Sequence, residues 1–339
     1  LESTPRIGVI MDPKPTTRST LRNTEKTLLA DSANRYIHMA TTDNTRRTYR
    51  AAIRSFERWG GRLPTQPATL AAYLSDQAVA LNPRTLDVYL TALGRWHQTQ
   101  GLRDPARDPG VRKTLEGIRR VHGRPKRQAR ALRLEHIAVF LQTLQQQPDS
   151  LKKHRDWALL QVGFFGAFRR SELVTIEVED LSWEPEGLVV TLPRSKTDPH
   201  GEGLKRALPR GNGPVCPVSA LENWLKRAGI HEGPVFRAVN RWDRLQPQAL
   251  SGGSVNRILK ALGETCDLDF VPTLSSHSFR RGLSTAAARE KVDFAQIKRQ
   301  GGWKHDGTVR GYIEEGQQFT DNAASTLLAK VASLIEGSD

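Results

Sequence analysis

Two short segments in the second half of the chain pair an arginine with a residue that can orient it or transfer a proton. "GAFRRSEL" holds Arg169 and Glu172 three residues apart, and "SSHSFRRG" holds His277 and Arg280 at the same spacing. Residues three apart on a helix share a face, so each pair predicts a polar cluster, and Arg281 is expected to point elsewhere. His277 and Arg280 fall near a predicted helix start, where backbone N–H groups favour an anion. Both pairs are candidate phosphate sites, although pairs that only support the fold have the same spacing.

Three further residues complete the candidate set. Lys196 lies in the turn "SKTD", Trp303 follows Gly301-Gly302, and Tyr312 comes nine residues after Trp303. Each has an ordinary interpretation as well: a solvated turn lysine, a core aromatic, and a packing tyrosine with its hydroxyl at the surface. Their chemical interpretation therefore depends on the combination.

The order Arg…Lys…His-x-x-Arg…Trp…Tyr, in a strongly basic protein, resembles the tyrosine recombinases (the phage integrase family), in particular their Cre-like branch. The resemblance spans roughly residues 31–339 and implies a site-specific DNA recombinase. It implies seven catalytic residues: Arg169, Glu172, Lys196, His277, Arg280, Trp303 and Tyr312.

The resemblance gives Tyr312 the role of nucleophile. Tyr312 would attack the scissile phosphate in line, form a 3′-phosphotyrosyl bond and release a 5′-hydroxyl. Arg169, Arg280 and the Trp303 N–H would stabilise the charge that deepens in the pentavalent transition state. The covalent bond conserves the phosphodiester's energy, so rejoining needs no ATP.

Proton transfer and support fall to the remaining residues. Lys196 would protonate the leaving oxygen, His277 would act as a base or as a further phosphate donor, and Glu172 would support Arg169. No carboxylate cluster suggests Mg²⁺. The two cysteines of the chain have no zinc-ligand spacing. The sequence therefore predicts no cofactor and no metal, and free thiols.

The sequence departs from the family pattern at two positions. Arg170 stands where a small or apolar residue is usual after the first arginine, and Gly253 stands where the Cre-like branch has a base-reading arginine. The first departure leaves the chemistry intact, whereas the second implies a different target sequence.

The hydrophobic periodicity around these residues predicts a mainly α fold with a small antiparallel β-sheet. "HRDWALLQVGFFGAFRRSELVTI" is predicted as a helix, and "GLVVTLPRS" and "LKRALPR" as a hairpin with Lys196 in its loop. Tyr312 falls in a polar segment. Further helices are predicted at "LEHIAVFLQTLQQ", "GGSVNRILKALGE", "SHSFRRGLSTAAARE", "DFAQIKRQ" and "DNAASTLLAKVASLIE".

The positive charge is concentrated in the first part of the chain. Residues 1–130 contain 24 Lys and Arg, of which 20 are Arg, against 11 acidic residues, whereas residues 131–339 contain 27 against 25. Arginine's fork suits phosphate, so this asymmetry predicts nucleic-acid binding; a merely supercharged domain is the alternative. No apolar run approaches the length of a membrane span, and no signal sequence is evident. The helices have no broad exposed apolar face, which argues against a protein that binds the membrane surface. A cytoplasmic, nucleoid-associated protein of prokaryotic, phage or plasmid origin is expected.

Two helices in this basic region present arginines outward. In "NTRRTYRAAIRSFERWGG" Asn44 is predicted as the cap, and in "NPRTLDVYLTALGRWHQTQG" Asn82 caps a helix that starts with Pro83. The first helix carries an outward stripe of Arg47, Arg50, Arg54 and Arg58.

The expected organisation is a flexible segment (1–30), a helical core-binding domain (31–121), a basic linker (122–132) and a catalytic domain (133–339). The two domains would form a C-shaped clamp on DNA, with the linker along the phosphate backbone; a solvated hinge is its alternative. The expected DNA contacts are Arg46, Arg47, Arg50, Arg84, Tyr89, Arg124, Lys126, Arg127, Ser254, Asn256 and Arg257.

The resemblance also implies an assembly. The partner would be double-stranded DNA with an inverted-repeat site, bound by a homotetramer that exchanges strands through a Holliday junction; free protein would be monomeric or weakly associated. The helix at 320–336 would dock on a neighbouring protomer, with packing on its own domain as the alternative. Its apolar stripe is Leu327, Leu328, Val331, Leu334 and Ile335.

Three other functions share some of these features. A type IB topoisomerase has the same chemistry, but the separate basic helical domain and the Cre-like spacing argue against it. A DNA-binding regulator on a degenerate recombinase scaffold would be expected to lack some of the catalytic residues. A Mg²⁺-dependent nuclease would need carboxylates that the sequence does not supply.

Overall fold

The chain divides into two compact units, one ending at Lys126 and the other beginning at Arg127. The computed structural model describes residues 40–125, 128–193, 203–319 and 322–336. The predicted N-terminal segment lies outside the described residues, as do Lys126, Arg127 and Lys196. Each unit has its own apolar core.

The described part of the first unit is helical. The first helix, α1 (Asp43–Arg58), is capped by Thr42, whose hydroxyl oxygen accepts a hydrogen bond from the Thr45 N–H at 3.3 Å. The prediction that Asn44 caps this helix was therefore wrong, because Asn44 already lies in the first turn. Asn82 caps α3 as predicted, and its Oδ1 accepts from the Arg84 N–H at 2.9 Å. The four helices are α1 Asp43–Arg58, α2 Pro67–Gln77, α3 Pro83–Thr99 and α4 Pro109–His122.

The first unit buries one face of each helix and exposes the arginines. Phe56 on α1 is fully buried and meets the edge of Tyr73 on α2 at a ring-centroid distance of 5.2 Å. The side chains of the predicted arginine stripe on α1 are exposed. The sequence analysis specified the helices α1 and α3 but did not specify α2 and α4.

The second unit combines helices with two small antiparallel sheets. Among its described residues the helices are α5 Leu134–Gln146, α6 Leu151–Phe165, α7 Arg170–Val174, α8 Pro217–Ala228, α9 Gly252–Thr265, α10 His277–Arg289, α11 Phe294–Gly301, α12 Asp306–Gln317 and α13 Ala323–Glu336. The strands are β1 Leu181–Glu184, β2 Gly187–Leu192, β3 Leu204–Pro209, β4 Arg237–Val239 and β5 Leu245–Ala249. The predicted fold class, mainly α with a small antiparallel sheet, is confirmed.

The predicted hairpin forms two of the three strands of the first sheet. Strands β2 and β3 pair antiparallel, with Val189 opposite Ala207. β1 adds a third strand beside β2, and β4 pairs with β5 in a separate sheet. The sequence reading missed β1, β4 and β5, which are short and carry little alternation.

Two helix predictions require correction. The segment predicted as one helix breaks after Phe165, and Ala167 adopts a left-handed backbone with φ of 46°. A second short helix, α7, then starts after Arg169. The polar segment that carries Tyr312 is itself a helix, α12. None of the helices in the described ranges is both long and apolar enough to cross a membrane.

Candidate active site

Arg169 and Glu172 close the start of α7. Arg169 is the N-cap residue, and its backbone N–H donates to Glu172 Oε2 at 2.9 Å while its guanidinium donates to Glu172 Oε1. The Glu172 side chain is 2% exposed. The predicted i,i+3 contact therefore forms, but as a helix cap rather than along a helix face. It holds the Arg169 guanidinium at Nη1.

Arg280 is buried where the break before α7 meets the end of α11. Its Nη2 donates to the Gly301 carbonyl at 2.9 Å, and its Nη1 donates to the Ala167 carbonyl. The left-handed conformation of Ala167 aims that carbonyl at the guanidinium. The Arg280 guanidinium also lies over the Trp303 ring, 4.5 Å from its centroid. Three elements distant in sequence thus fix its orientation.

A third arginine, Arg206 on β3, lies beside this pair and was missed from the sequence. Its side chain is fully buried, its Nη2 is 3.8 Å from Glu172 Oε2, and its Nη1 donates to the Gln300 carbonyl. Nε and Nη2 have no hydrogen-bond partner among the described residues. The signal was present: in "LKRALP" Arg206 occupies an inward position, two residues before the buried Leu208.

Arg169 and Arg206 therefore face the carboxylate of Glu172, and Arg280 lies close enough for all three charges to act on it. Burial, reinforced by the charges of Arg169 and Arg206, lowers the pKa of Arg280 to about 9. Burial likewise lowers the pKa of Arg206 to about 10, although Glu172 opposes that effect. The cluster carries excess positive charge in a poorly solvated place, so an anion bound against it is stabilised.

The two glycines before Trp303 are required by this packing. A Cβ on Gly301 would lie 1.5 Å from the Trp303 ring, and a Cβ on Gly302 would lie 2.7 Å from Arg206 Nη2. Gly302 also has φ of 58° and ends α11 in the left-handed conformation. The pair therefore lets the indole fold back against the helix end and meet Arg280.

Tyr312 packs against Trp303 from the next helix. Their ring centroids are 5.7 Å apart, and both belong to a small apolar cluster with Ile297 and Val309. Tyr312 is half-buried, whereas Trp303 is 8% exposed. Tyr312 is close enough to Arg280 for its ionised form to raise the pKa of Arg280. Tyr312 therefore packs against Trp303, as its ordinary interpretation expects, and it also lies near the arginine cluster.

His277 is the first residue of α10, one turn before Arg280, and it is exposed. Its backbone N–H donates to Ser275 Oγ at 3.3 Å, and the N–H of Ser276 donates to Asn256 Oδ1 at 2.9 Å. Asn256, predicted as a DNA contact, thus holds the start of this helix. Lys196 lies outside the described residues.

Arg281 points in a different direction from Arg280, and it contacts none of the groups that hold Arg280. Its Nη2 is 2.6 Å from Glu315 Oε2 on α12, and its guanidinium carbon is 5.9 Å from the Tyr312 ring centroid. The sequence did not predict this contact, because α12 was not recognised as a helix packed on α10. The contact connects residues 34 positions apart.

The other predicted DNA contacts that the structure describes are exposed or partly exposed, whereas Lys126 and Arg127 lie outside the described residues. On α9, Arg257 donates to Ser254 Oγ at 2.8 Å. Tyr89 packs against the first unit's core, and the Arg84 guanidinium donates to the Arg124 carbonyl at 3.1 Å. Arg46 pairs with Asp43. The exposed members are Arg47, Arg50, Arg84, Arg124 and Arg257.

Within the described ranges, no group of three or more His, Cys, Asp or Glu side chains is placed to hold a metal ion. Neither cysteine forms a disulfide.

Sequence comparison identifies relatives over most of the chain. Residues 130–318 match the phage integrase family. An integrase/recombinase xerD homolog of Selenomonas ruminantium is 34% identical over 319 residues, which cover 91% of this chain and 92% of that protein.

Solved structures share the fold at low sequence identity. The XerH site-specific recombinase, bound to palindromic difH substrate in a post-cleavage complex, matches with a TM-score of 0.61 and 17% identity, over 82% of this chain and 78% of that one. A lambda integrase dimer bound to a COC′ core site matches with a TM-score of 0.57 and 14% identity, over 88% and 81% of the two chains. The arginine cluster, its neighbouring tyrosine and the sequence relatives agree: the chain belongs to the phage integrase family, the tyrosine recombinases.

Proposed function

We propose that this site-specific recombinase binds double-stranded DNA at an inverted-repeat site and cuts it with Tyr312. The phenol oxygen attacks the scissile phosphorus in line, a 3′-phosphotyrosyl bond forms, and the 5′-oxygen leaves as a hydroxyl. A 5′-hydroxyl then attacks the phosphotyrosine and restores the DNA backbone without ATP. The observation that carries this proposal is the buried Arg280 held within 4.5 Å of the Trp303 ring, which in turn packs on Tyr312.

The arginines supply the charge that the transition state needs. Arg169 and Arg280 are oriented by protein groups before any substrate arrives, so little reorganisation is required as negative charge grows on the phosphate. Their excess over the single carboxylate of Glu172 supports a reaction in which no metal ion neutralises the phosphate.

Proton transfer is assigned to residues at the edge of this cluster. Lys196 protonates the leaving 5′-oxygen, and exposed His277 acts as base or as an additional donor to the phosphate. The N–H groups at the start of α10 add a further preference for an anion there. Each of these roles is separable by substitution once cleavage can be measured.

Covalent trapping tests the nucleophile. The protein is mixed, in EDTA, with a nicked suicide DNA that carries its site, found by selection, and SDS-stable adducts are resolved on a gel. The wild type is expected to form the adduct and Tyr312→Phe to form none, because only the phenol oxygen can bond to phosphorus.

Tyr49→Phe serves as the matched control, since Tyr49 lies on α1 in the other unit. It should form the adduct like the wild type. Specific DNA binding without an adduct from any of the proteins would contradict the enzymatic proposal and favour a regulator. An adduct that appears only after Mg²⁺ is added would contradict metal independence.

Both units are proposed to contact the duplex. The exposed arginines of α1 and the basic segment around Arg124 would neutralise phosphates, while Ser254 and Arg257 would reach a groove. Phosphate contacts of this kind make affinity strongly dependent on salt concentration. Action on DNA also implies a cytoplasmic, nucleoid-associated location.

A homotetramer on two DNA sites, with a Holliday junction between the two strand exchanges, is proposed for the complete reaction. Helix α13 supports it. Leu327, Leu328, Val331 and Ile335 are 64%, 69%, 53% and 70% exposed. An apolar stripe of this kind is usually covered by a partner. A neighbouring protomer is the proposed partner.

Substitution within this stripe should separate binding from assembly. Leu328→Glu combined with Val331→Glu is expected to leave single-site DNA binding and thermal stability unchanged but to abolish complexes that hold two sites, because charge cannot enter an apolar interface. Native gels with one-site and two-site DNA measure both. Ser333→Glu on the same helix is the control. A lower melting temperature with normal assembly would mean that α13 packs on its own unit instead.

A further inference from the structure

Arg281 joins the two helices that carry the reacting groups. It follows Arg280 on α10, and its guanidinium reaches α12, where Nη2 lies 2.6 Å from Glu315 Oε2. The same guanidinium is 5.9 Å from the ring centroid of Tyr312 and donates through Nη1 to Gln128 Oε1. The Arg281 side chain is only 13% exposed.

The position of Glu315 on α12 connects this ion pair to Tyr312. Glu315 follows Tyr312 by three residues, so the two side chains share one face of α12. The Arg281 guanidinium therefore contacts two side chains on that face of α12, Tyr312 and Glu315, which lie about one helical turn apart. Such a contact restricts both the rotation of α12 about its axis and its position along that axis.

Close packing and two hydrogen bonds also hold the end of α12 on α10. A Cβ on Gly316 would lie 2.6 Å from the Thr285 carbonyl oxygen. The Gly316 carbonyl accepts a hydrogen bond from Arg289 Nε at 3.2 Å, and Gln317 Nε2 donates to a carbonyl of α10 at 3.3 Å. These contacts hold the backbone at the helix end, whereas the ion pair is made by a side chain that also reaches the Tyr312 ring.

We propose that Arg281, paired with Glu315, is a positioning residue that aims Tyr312 at the scissile phosphate. The proposal rests on the proposed function of Tyr312 as nucleophile. Arg281 acts through the helix and not on the substrate, because Nη1 and Nη2 are engaged by Gln128 and Glu315 and Nε is buried. A small rotation of α12 moves the phenol oxygen away from the line of attack.

The test is a charge swap. Arg281→Glu and Glu315→Arg are each expected to slow single-turnover cleavage of the suicide DNA by about 10–100-fold, the effect of a misplacement on the order of 1 Å. The double variant restores the opposite charges and should recover most of the rate. An equivalent swap of Lys298 and Asp306, an exposed pair 2.6 Å apart that also reaches α12, is the matched control and should change little.

A second measurement reports the position of residue 312 without requiring cleavage. Tyr312→Cys is introduced into each background, and the rate of maleimide labelling at that position is measured by mass spectrometry of the peptide. Each single substitution should change the labelling rate several-fold, and the double variant should return it to the unswapped value. Thermal melts identify variants that do not fold, for which Arg281→Gln replaces Arg281→Glu.

The two proposals fail in different ways. If none of the proteins cleaves DNA, but the labelling rate changes in the single variants and returns in the double variant, then Arg281 does position residue 312 and Tyr312 is not the nucleophile. If the single variants lose cleavage while labelling is unchanged, or if the double variant recovers neither, Arg281 is not a positioning residue. Rescue of both rates by the double variant supports it.

Discussion

An Arg280→Lys protein is expected to form the covalent DNA adduct about 10³-fold or more slowly than the wild type, within the range that one arginine contributes to phosphoryl transfer. Lysine keeps the charge but lacks the fork. Arg280 uses its two terminal nitrogens on the Ala167 and Gly301 carbonyls at the same time. An ammonium group on a flexible chain cannot hold both while it faces a phosphate.

Single-turnover cleavage at saturating protein measures this loss apart from DNA binding. The buried carbonyls that lose their donor also destabilise the fold, by about 1–3 kcal/mol each, so adduct formation is compared at a temperature where both proteins are folded. Arg227→Lys, an exposed arginine on α8, is the control and should cleave normally. If the cleavage rate decreases by less than about 10-fold, which corresponds to about 1.4 kcal/mol of activation free energy, Arg280 does not bind the scissile phosphate in the transition state.

Arg206→Met is expected to separate stability from activity. The charged guanidinium is destabilised by burial, which lowers its pKa to about 10. At about 1.4 kcal/mol per pKa unit, the fully buried charge costs the folded protein about 3 kcal/mol at neutral pH. Because the pKa is depressed in the folded state, this cost is fully present below pH 10 and is relieved above it.

Methionine keeps the apolar stem and removes that cost, but it leaves the Gln300 carbonyl without its donor. The net expectation is a free energy of unfolding that rises by about 1 kcal/mol, as for other buried charges replaced by apolar residues. Cleavage should nevertheless fall by about 10²-fold, because the chain from Gln300 to Trp303 loses its anchor and the indole shifts.

Chemical denaturation and adduct formation on the same preparations provide the two readings. Arg210→Met, an exposed arginine directly after β3, should change neither. A large loss of stability with Arg206→Met would mean that the guanidinium is a net stabiliser of the fold. Unchanged cleavage would mean that the end of α11 does not need it.

The sequence by itself determined the candidate site residues and most of the local elements that hold them. Spacing and periodicity within a dozen or so residues predicted the i,i+3 pairs, the pairing of β2 with β3 and most helices of the second unit. The prediction that Asn82 caps α3 was correct because a helix cap is also a local interaction. Family membership followed from the same short motifs in their order.

Only the tertiary structure decided how those residues are oriented. Arg206 meets the Gln300 carbonyl across 94 residues, Arg280 meets the Ala167 carbonyl across 113, and Arg281 meets Glu315 across 34. The break at Ala167 turns a predicted helix interior into the cap that holds Arg169, and its carbonyl is taken by Arg280. Local propensity carries no information about a partner so far along the chain. Burial of a guanidinium is tolerated only where such partners converge.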